Sequence, residues 1–356
     1  MGFRVKKMDY ILKEDIEYIA QTNTISWASL EGKSILITGA TGLIGSQIVL
    51  GLDRHNQMCE KKILIYALVR NQEKACEIFK ECSDFVKILV GDIRECVVLE
   101  DEIDYIIHGA SMTDSRQFVN SPVETISTAL KGTENILEFA NKKAVHSMVY
   151  LSSLEVYGIT DPSKESIKET EYGYIDPLSV RSSYSEGKRM VECLCVSYGH
   201  EYAVPVKIVR LSQTFGPGVS YKDNRVFAQF AKSVIEENDI ILKTKGETYR
   251  NYCYTRDAII GILRVLTDGK ACEAYNIANK ETGISICDMA RMVADDIGKK
   301  KIKVVFELAE NIEQLGYGPT IKIALNTDKI ERLGWKAEVG LKDALERMIK
   351  SMRCSA

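Results

Sequence analysis

Two residues separated by about one helical turn carry the clearest chemistry in the sequence. Tyr184 and Lys188 fall in a predicted helix at i,i+4 spacing, which places both side chains on one face. A tyrosine has an ordinary pKa of about 10, and a nearby ammonium lowers it by favouring the phenolate. A solvated pair with this spacing also arises by chance. Ser152 and Ser153 follow a predicted strand, where a serine hydroxyl either caps the strand end or holds a substrate hydroxyl against Tyr184. With the second interpretation, these residues and the Tyr184–Lys188 pair indicate a proton relay.

A glycine-rich loop predicts a binding site for a dinucleotide pyrophosphate. Its three glycines follow the predicted strand Ser34–Thr38 and open a helix predicted over Leu43–Asp53. Glycine permits a tight turn and a close backbone approach to phosphate, and the helix N-terminus offers free N–H groups and a partial positive charge. A tight strand–helix turn with incidental glycines is the alternative. The residues expected to contact the cofactor here are Gly39, Thr41, Gly42, Leu43, Ile44 and Gly45.

Short apolar runs that alternate with helix-length segments predict an α/β fold. Helices are expected over Pro122–Asn141 and Ser185–Tyr198, between such runs. This alternation implies right-handed crossovers, so we expect a Rossmann-type doubly wound parallel sheet with helices on both faces. The predicted strands are 34–38, 62–69, 86–90, 104–108, 147–151 and 206–210.

The same pattern divides the chain into three parts. Residues 1–32 form an N-terminal helical extension with an amphipathic helix over Asp9–Gln21, and residues 33–210 form the dinucleotide-binding domain. Beyond residue 210 the rhythm loosens, with turn signals at 216–218 and 316–319. We therefore expect residues 211–356 to form most of a smaller C-terminal α/β substrate-binding portion, interleaved with the Rossmann core and sharing one cleft with it.

The composition of the 356-residue chain is that of an ordinary soluble protein, 45% hydrophobic and 27% charged. Its net charge of −3 argues against nucleic-acid binding driven by global charge. No apolar signal segment follows residues 1–7, and glycines interrupt the apolar stretch 34–52, so no membrane span is expected. Ten dispersed cysteines without a C-x-x-C pair indicate reduced thiols in a cytoplasmic protein. No metal site is expected, because metal-ligand spacing is lacking at His55, His108, His146 and His200.

The residue after the second strand bears on the choice of cofactor. An acidic residue there normally accepts the ribose hydroxyls of NAD, but the sequence reads Val69-Arg70-Asn71. Arg70 can stack on adenine or pair with a 2′-phosphate, which would favour NADP, or it can be a solvated arginine at a strand end. On these residues both NAD and NADP stay open.

The loop and the tyrosine motif together resemble the extended short-chain dehydrogenase/reductases, the NAD-dependent epimerase/dehydratase family. The loop Thr38-Gly-x-x-Gly-x-x-Gly45 is one residue longer than the ordinary Rossmann triplet. From about Lys33 onward, the motifs are most similar to those of the UDP-glucuronate decarboxylases. These motifs are Ser153-Leu-Glu-Val-Tyr-Gly158, Arg181-Ser-Ser-Tyr-Ser-Glu-Gly-Lys-Arg189, Thr214-Phe-Gly-Pro217, Asp223-Asn-Arg-Val226 and Arg250-Asn-Tyr-Cys-Tyr-Thr-Arg-Asp257.

The resemblance implies roles for individual residues. Ser153, Tyr184 and Lys188 would be catalytic, Lys188 would also hold the nicotinamide ribose, and Glu155 would act in a second chemical step. Asp92 matches the position that contacts adenine, although an Asx turn also explains it. Ser152 is interpreted only as a strand-end cap. Further contacts with the cofactor are implied at Ile93, Ala110, Ser111 and Leu211, and contacts with the substrate at Thr113, Arg181, Gln213, Arg225 and Arg250.

The activity implied by the resemblance is oxidation of a nucleotide-linked sugar at C4, using bound NAD, followed by epimerisation or decarboxylation. Dehydration ranks lower, because the 4,6-dehydratases have an aspartate where this chain has Leu154. Gln213, Ala129 and the loop 110–116 depart from the decarboxylase pattern and leave the sugar open. An NADP-dependent carbonyl reductase and a non-catalytic dinucleotide sensor are the alternatives. Relatives dimerise through the two helices predicted near 122–141 and 185–198, so a homodimer is implied.

Overall fold

The computed structural model, which describes residues 9–309 and 320–355, is built around a parallel sheet. Every neighbouring pair of its strands is parallel. The second and third strands of the chain lie on one side of the strand at 34–38, and the later strands lie on its other side. This reversal of strand order opens a crevice at the carboxyl ends of the central strands. In spatial order the strands are Ala274–Ile277 (β10), Val206–Leu211 (β6), Ser147–Ser153 (β5), Tyr105–His108 (β4), Ser34–Thr38 (β1), Leu64–Val69 (β2) and Val86–Val90 (β3).

Helices cover both faces of this sheet, which confirms the predicted doubly wound fold. Successive side chains of β1 point to opposite faces, so Ile35 joins one buried cluster and Leu36 another. The first cluster includes apolar residues of Tyr10–Gln21 (α1), Leu43–Asn56 (α3) and Thr255–Asp268 (α9). The second includes residues of Pro122–Lys143 (α6) and Ser183–Glu201 (α7). None of the described helices is both long and apolar enough to cross a membrane. Shorter helices are Trp27–Leu30 (α2), Gln72–Ile78 (α4) and Ser115–Asn120 (α5).

A second, smaller set of elements comes from the chain after β6. Gln213–Phe215 (β7), Asn279–Ser285 (β11) and Lys322–Ile323 (β13) pair with Tyr249–Tyr254 (β9), and Ile240–Leu242 (β8) pairs with Val304–Phe306 (β12). These strands share a separate apolar cluster with the neighbouring helices. The helices of this part are Val226–Glu236 (α8), Ile286–Met292 (α10), Asp328–Glu331 (α11) and Leu341–Ser355 (α12).

Strand β10 is the one strand of the main sheet that the sequence analysis missed. It returns from the second set of elements to pair with β6 in the main sheet. Its third residue, Asn276, is fully buried, accepts a hydrogen bond from the Tyr157 hydroxyl at 2.6 Å and donates to the Ile167 and Asn326 carbonyls. A polar residue in so short a run hides the apolar signature of a buried strand. The turn signal at 316–319 and the basic residues at 1–7 lie outside the described residues.

The N-terminal helix α1 is part of the core. Gly51 of α3 lets Ile19 come close, since a Cβ there would lie 2.7 Å from Ile19 Cγ2. The Asp15 carboxylate is fully buried and accepts hydrogen bonds from Tyr254 and, at 2.9 Å, from Arg347 of α12. Burial raises the pKa of Asp15 and these two partners oppose the shift. The extension thereby ties the main sheet to the second set of elements.

Candidate active site

The glycine loop joins β1 to α3 in a geometry that requires its glycines. Gly39 has a φ of +70°, and a Cβ there would lie 2.9 Å from the backbone nitrogen of Ala110. A Cβ on Gly45 would lie 2.3 Å from the Gly39 carbonyl oxygen. Gly42 caps α3 without a side chain, so no side-chain oxygen covers the first-turn N–H groups. The loop therefore fits a pyrophosphate, which these N–H groups and the helix dipole would bind.

The other residues predicted to contact the cofactor lie around this loop. The Ala110 N–H donates to the Thr38 hydroxyl at 3.1 Å, next to β4, and Ser111 follows it, half-buried. Ile93 is buried against α6, where a Cβ on Gly132 would lie 2.4 Å from Ile93 Cδ1. Half-buried positions are occupied by Thr41, Leu43, Ile44 and Leu211.

Asp92 is engaged within the protein. It accepts hydrogen bonds from the Arg94 backbone N–H at 2.9 Å and from the Arg94 guanidinium at 2.7 Å. These contacts lower the pKa of Asp92 to about 2, and the charge of Arg70 acts in the same direction. The Asx turn considered for Asp92 is therefore present, while Arg70 is exposed at the end of β2.

The proposed catalytic residues meet at the carboxyl end of β5. Ser153 ends this strand, and hydrogen bonding with its hydroxyl lowers the pKa of Tyr184, which lies in the first turn of α7. The Tyr184 ring stacks on Phe118 with centroids 4.2 Å apart and planes 10° apart. Lys188 lies one turn further along α7, with Nζ 5.8 Å from the centre of the Tyr184 ring. The structure thus brings Ser153, Tyr184 and Lys188 close together at this strand end.

Burial controls the acidity of Tyr184. It raises the pKa of Tyr184 to about 12, although the hydrogen bond with Ser153 and the charges of Arg181 and Arg225 oppose it. The shift is opposite to the lowering expected from Lys188, because desolvation of the phenolate outweighs the neighbouring cations. A further positive charge is needed before Tyr184 can act as a base near neutral pH.

Lys188 is held by the backbone of the sheet. Its side chain is 3% exposed, and its ammonium donates a hydrogen bond to the Leu151 carbonyl at 2.8 Å. The same group lies 4.6 Å from the centre of the Tyr150 ring. Burial lowers the pKa of Lys188 to about 8, which still leaves the group mostly charged at pH 7. A buried lysine at a cleft that opens beyond strand ends is typical of a functional group.

Glu155 lies beside this relay in the 3₁₀ turn Leu154–Tyr157. Its carboxylate is 3.5 Å from the Arg181 guanidinium and 3.5 Å from the Ser185 hydroxyl. Its charge reaches Tyr184, whose pKa it raises. The next residue back, Leu154, is 2% exposed and packs in an apolar cluster with Tyr157.

The residues predicted to bind substrate fall into two groups. Arg181 and Arg225 act on the pKa of Tyr184, so both lie near the relay. Arg225 also pairs with Asp223 at 2.6 Å. Arg250 lies on β9 and acts on the pKa of Tyr252, and Gln213 pairs with Tyr252 across β7 and β9. Thr113 is exposed in the loop after β4.

A buried ionic network, which the sequence analysis did not anticipate, underlies the catalytic strand. Ser152 donates to the Glu192 carboxylate at 2.6 Å, and Arg210 pairs with the same carboxylate at 2.6 Å. Ser152 is therefore more than a strand-end cap. Arg210, 1% exposed, also donates to the Tyr157 hydroxyl at 2.9 Å. The network joins β6 to β5 and α7, the two elements that carry Ser153 and Tyr184.

Phe118 is another residue of the site that the sequence analysis missed. It is 4% exposed, stacks on Tyr184 and lies 5.1 Å from the Arg181 guanidinium carbon. Its carbonyl accepts a hydrogen bond from Ser183 at 2.8 Å. Its position before Pro122 gave no local signal, because its role depends on α5 packing against α7.

The family model of the NAD dependent epimerase/dehydratase family matches residues 35–278. The chain belongs to this family. The matched segment contains the glycine loop together with Ser153, Tyr184 and Lys188. The match confirms the family inferred from those motifs, the prediction of an enzyme and the NAD cofactor that the family name gives.

Individual relatives support this membership. UDP-glucuronic acid decarboxylase 6 of Arabidopsis thaliana is 28% identical over 326 residues, which cover 90% of this chain and 88% of that protein. Among solved structures, a dTDP-glucose 4,6-dehydratase from Streptomyces venezuelae with NAD bound has a TM-score of 0.75 at 23% identity, covering 90% of this chain and 97% of its own. A UDP-glucuronic acid 4-epimerase from Bacillus cereus in complex with NAD has a TM-score of 0.71 at 22% identity, covering 90% and 98%. The two structures share the fold.

Replacing Lys188 by Met is expected to abolish turnover while raising the free energy of unfolding at pH 7. Folding lowers the pKa of Lys188 from 10.5 to about 8, so the unfolded chain binds more protons between these values. Wild-type stability therefore rises as the pH increases through this window. The gain in the free energy of unfolding of Lys188→Met over the wild type is therefore full below about pH 8 and shrinks towards about pH 10. Urea denaturation at several pH values measures this difference.

Lys207→Met is the matched control. Lys207 is also buried with its pKa lowered to about 8, but its ammonium lies near the start of β5, 2.7 Å from the Ser147 hydroxyl. This variant should show the same pH trend in stability and keep its turnover. A Lys188→Met enzyme with wild-type turnover, or equal loss in both variants, would contradict a specific role for Lys188.

Proposed function

We propose that the protein converts a nucleotide-diphosphate sugar, with UDP-glucuronate as the first candidate, through a 4-keto sugar to a decarboxylated or epimerised product. The observation that carries this proposal is the meeting of Ser153, Tyr184 and Lys188 at one strand end, with Glu155 beside them. The decarboxylase names of the relatives support UDP-glucuronate as the substrate to test first.

The cofactor that suits this crevice is NAD. When bound, it supplies the acceptor for the hydrogen and electron pair that leave the sugar C4, the same pair for reduction of the C4 ketone after the second step, and a positive charge that favours the Tyr184 phenolate. The free N–H groups after Gly42 would hold the pyrophosphate, and Asp92 would contact the adenosine. Lys188 would bind the nicotinamide ribose. NADP remains the alternative cofactor, because Arg70 can pair with a 2′-phosphate.

In the first step, Tyr184 removes the proton of the sugar C4 hydroxyl. Ser153 would hold the same hydroxyl through its Oγ, because this serine is close enough to Tyr184 to lower the pKa of the phenol. The buried Lys188 ammonium stabilises the phenolate form at short range. Stacking on Phe118 fixes the plane of the tyrosine ring.

In the second step, the C4 ketone activates C5 and C6. It acidifies the C5 hydrogen, and it makes a C6 carboxylate a β-keto acid. In decarboxylation the C5–C6 bond breaks and C6 leaves as CO₂. The electron pair of the broken bond forms a C4–C5 enolate, which takes up a proton at C5. Glu155 lies beside the relay and is suited to hold or deliver that proton, with Arg181 as its counter-ion.

Dehydration is the least suited of the three outcomes. Elimination of water needs an acid that protonates the departing hydroxyl, and the dehydratases have that acid at the position of Leu154. Here this position is 2% exposed and belongs to an apolar cluster. Its side chain supplies packing and has no proton to donate.

Three arginines are proposed to bind the anionic parts of the substrate. The Arg181 Nε is buried and has no hydrogen-bond partner within the described residues. Arg225 lies close enough to Tyr184 to affect its pKa, and Arg250 extends from β9 of the second set of elements. Guanidinium groups bind phosphate and carboxylate through paired N–H donors.

The surface formed by α6 and α7 is proposed to be a homodimer interface. Val123 is 79% exposed and Met190 is 57% exposed, and Ile126 and Val196 also face outward. A shallow depression between the helices is bordered by Leu130 and by Met190. Large apolar side chains grouped on two adjacent helices are typical of a subunit interface.

We place the protein in the cytoplasm. All ten cysteines are free thiols, both the buried Cys195 and Cys253 and exposed ones such as Cys96. Proteins of reducing compartments keep thiols in this state.

Tyr184→Phe is expected to lower kcat by about 10² to 10⁴-fold while NAD binding stays unchanged, because only the transferable proton is lost. Products from a nucleotide-sugar panel that includes UDP-glucuronate are measured by mass spectrometry and NMR. Tyr198→Phe, about four turns further along α7, is the control and should keep its activity. Retained turnover in Tyr184→Phe would refute the assignment, and stoichiometric consumption of added NADPH would instead indicate a carbonyl reductase.

Glu155→Gln is expected to uncouple the two steps. It removes the carboxylate but keeps the shape, so the 4-keto sugar should accumulate while the final product forms at least about tenfold more slowly. Rapid-quench mass spectrometry follows both species. Glu165→Gln, at an exposed position, is the control. Normal product formation without accumulation of the ketone would show that Glu155 has no essential chemical role.

Met190→Glu is expected to yield a monomer, because it places charge in the apolar surface of α6 and α7. Sedimentation velocity at micromolar concentration should show a dimer for the wild type and for Val98→Glu, which changes a valine that is 88% exposed outside these two helices. A monomeric wild type under these conditions would rule out the proposed dimer.

A further inference from the structure

A cluster of three different metal-ligand types lies at the far end of α3 from the glycine loop. One carboxylate oxygen of Glu31, a ring nitrogen of His55 and the sulfur of Cys59 all lie within 4.8 Å of one another. His55 is in the last turn of α3, Cys59 follows four residues later, and Glu31 comes from the turn after α2. With about 1.5 Å of rise per residue, α3 separates this cluster from the loop by about 20 Å.

The hydrogen bonding of His55 directs one ring nitrogen into the cluster. Nδ1 lies 2.9 Å from the Ala20 carbonyl oxygen, which can only accept, so Nδ1 carries the proton. Nε2 lies 3.2 Å from the Glu31 carboxylate, which as an anion also only accepts. A contact between these two atoms is favourable when a cation lies between them, either a second proton or a metal ion. A carbonyl partner at Nδ1 is also the usual support for a metal-binding histidine.

The imidazole ring is fixed in this orientation. Trp27 stacks on it with centroids 3.7 Å apart and planes 8° apart, and the ring is buried. A ligand whose rotamer is already held loses little freedom when it binds a metal.

Cys59 and its surroundings complete a suitable donor set. Its thiol lies 3.4 Å from the Lys61 carbonyl, and burial and the Glu31 charge raise its pKa. The charge of Lys62 acts in the opposite direction and favours the thiolate. One thiolate, one carboxylate and one neutral imidazole balance a divalent cation. Sulfur, nitrogen and oxygen donors in this combination suit Zn²⁺.

An opening next to the cluster leaves room for a fourth ligand. A surface depression of about 380 Å³ is lined by Glu31 and Cys59, together with Ala28, Glu60 and Lys61. A water molecule can enter there and complete a tetrahedral site.

We propose that Glu31, His55 and Cys59 bind one Zn²⁺ ion, with water as the fourth ligand, and that the ion ties the N-terminal segment to the end of α3. On binding, the Cys59 thiol and any proton on His55 Nε2 release their protons to solvent, and four metal–ligand bonds form. The proposal departs from the expectation of no metal site, which considered only the spacing of cysteines and of histidines along the sequence. It is independent of the proposed reaction.

The first test measures metal binding directly. Wild-type protein, stripped with a chelator and titrated with Co²⁺, should develop a thiolate-to-metal absorption band that one equivalent of Zn²⁺ abolishes. Cys59→Ser and Glu31→Gln should weaken Zn²⁺ binding by about tenfold or more in competition with a chromophoric chelator. Cys96→Ser, which removes an exposed thiol elsewhere, should match the wild type.

The second test measures stability without using enzyme activity. Zn²⁺ should raise the Tm of the wild type and of Cys96→Ser, but not that of Cys59→Ser, because an ion that binds only the folded chain stabilises it. NAD binding should be the same in all of these variants. Equal Zn²⁺ affinity and equal Tm shifts in wild type and Cys59→Ser would overturn the proposal. So would a wild type that binds no Zn²⁺, since the cluster would then be a proton-bridged ion pair.

Discussion

The burial of the Lys188 ammonium beneath the carboxyl end of β5 is the interaction on which the site depends. In the folded protein this ammonium loses its hydration, and in place of water it contacts the Leu151 carbonyl oxygen and the face of the Tyr150 ring. Such burial lowers the stability of the folded chain, and the pKa of Lys188 falls accordingly. In the proposed reaction, a fixed positive charge one turn from Tyr184 would favour proton transfer at that phenol, which would offset this loss of stability.

The surrounding structure holds this arrangement in place. The Glu192–Arg210 pair links α7 to β6 and, through Ser152, to β5, so the elements that carry the relay cannot shift independently. Breaking one partner of such a buried pair leaves an uncompensated charge, which makes the network intolerant of single changes. Gly39 and Ala110 approach so closely that the glycine loop packs directly against the segment that follows β4.

The sequence predicted those features that depend on local patterns. The strands up to β6, the glycine loop and the Tyr184–Lys188 spacing are all encoded within a few neighbouring residues. Contacts between distant segments were out of reach. Phe118 meets Tyr184 only through the packing of two helices. Asn276 is a polar residue, and its place in a buried strand is explained only by its three hydrogen-bond partners from distant segments. The raised pKa of Tyr184 also depends on burial, which the i,i+4 spacing does not report.

The late arrival of β10 has a consequence for the order in which the protein is assembled on the ribosome. Until residues 274–277 are synthesised, β6 is an edge strand, with one side of its backbone unpaired. The chain must first build β7, α8, β8, β9 and α9 before the partner strand emerges. A nascent chain released before this point presents an apolar, unprotected strand to other chains. The sheet that carries Ser153 is thus completed only after much of the second set of elements has been synthesised.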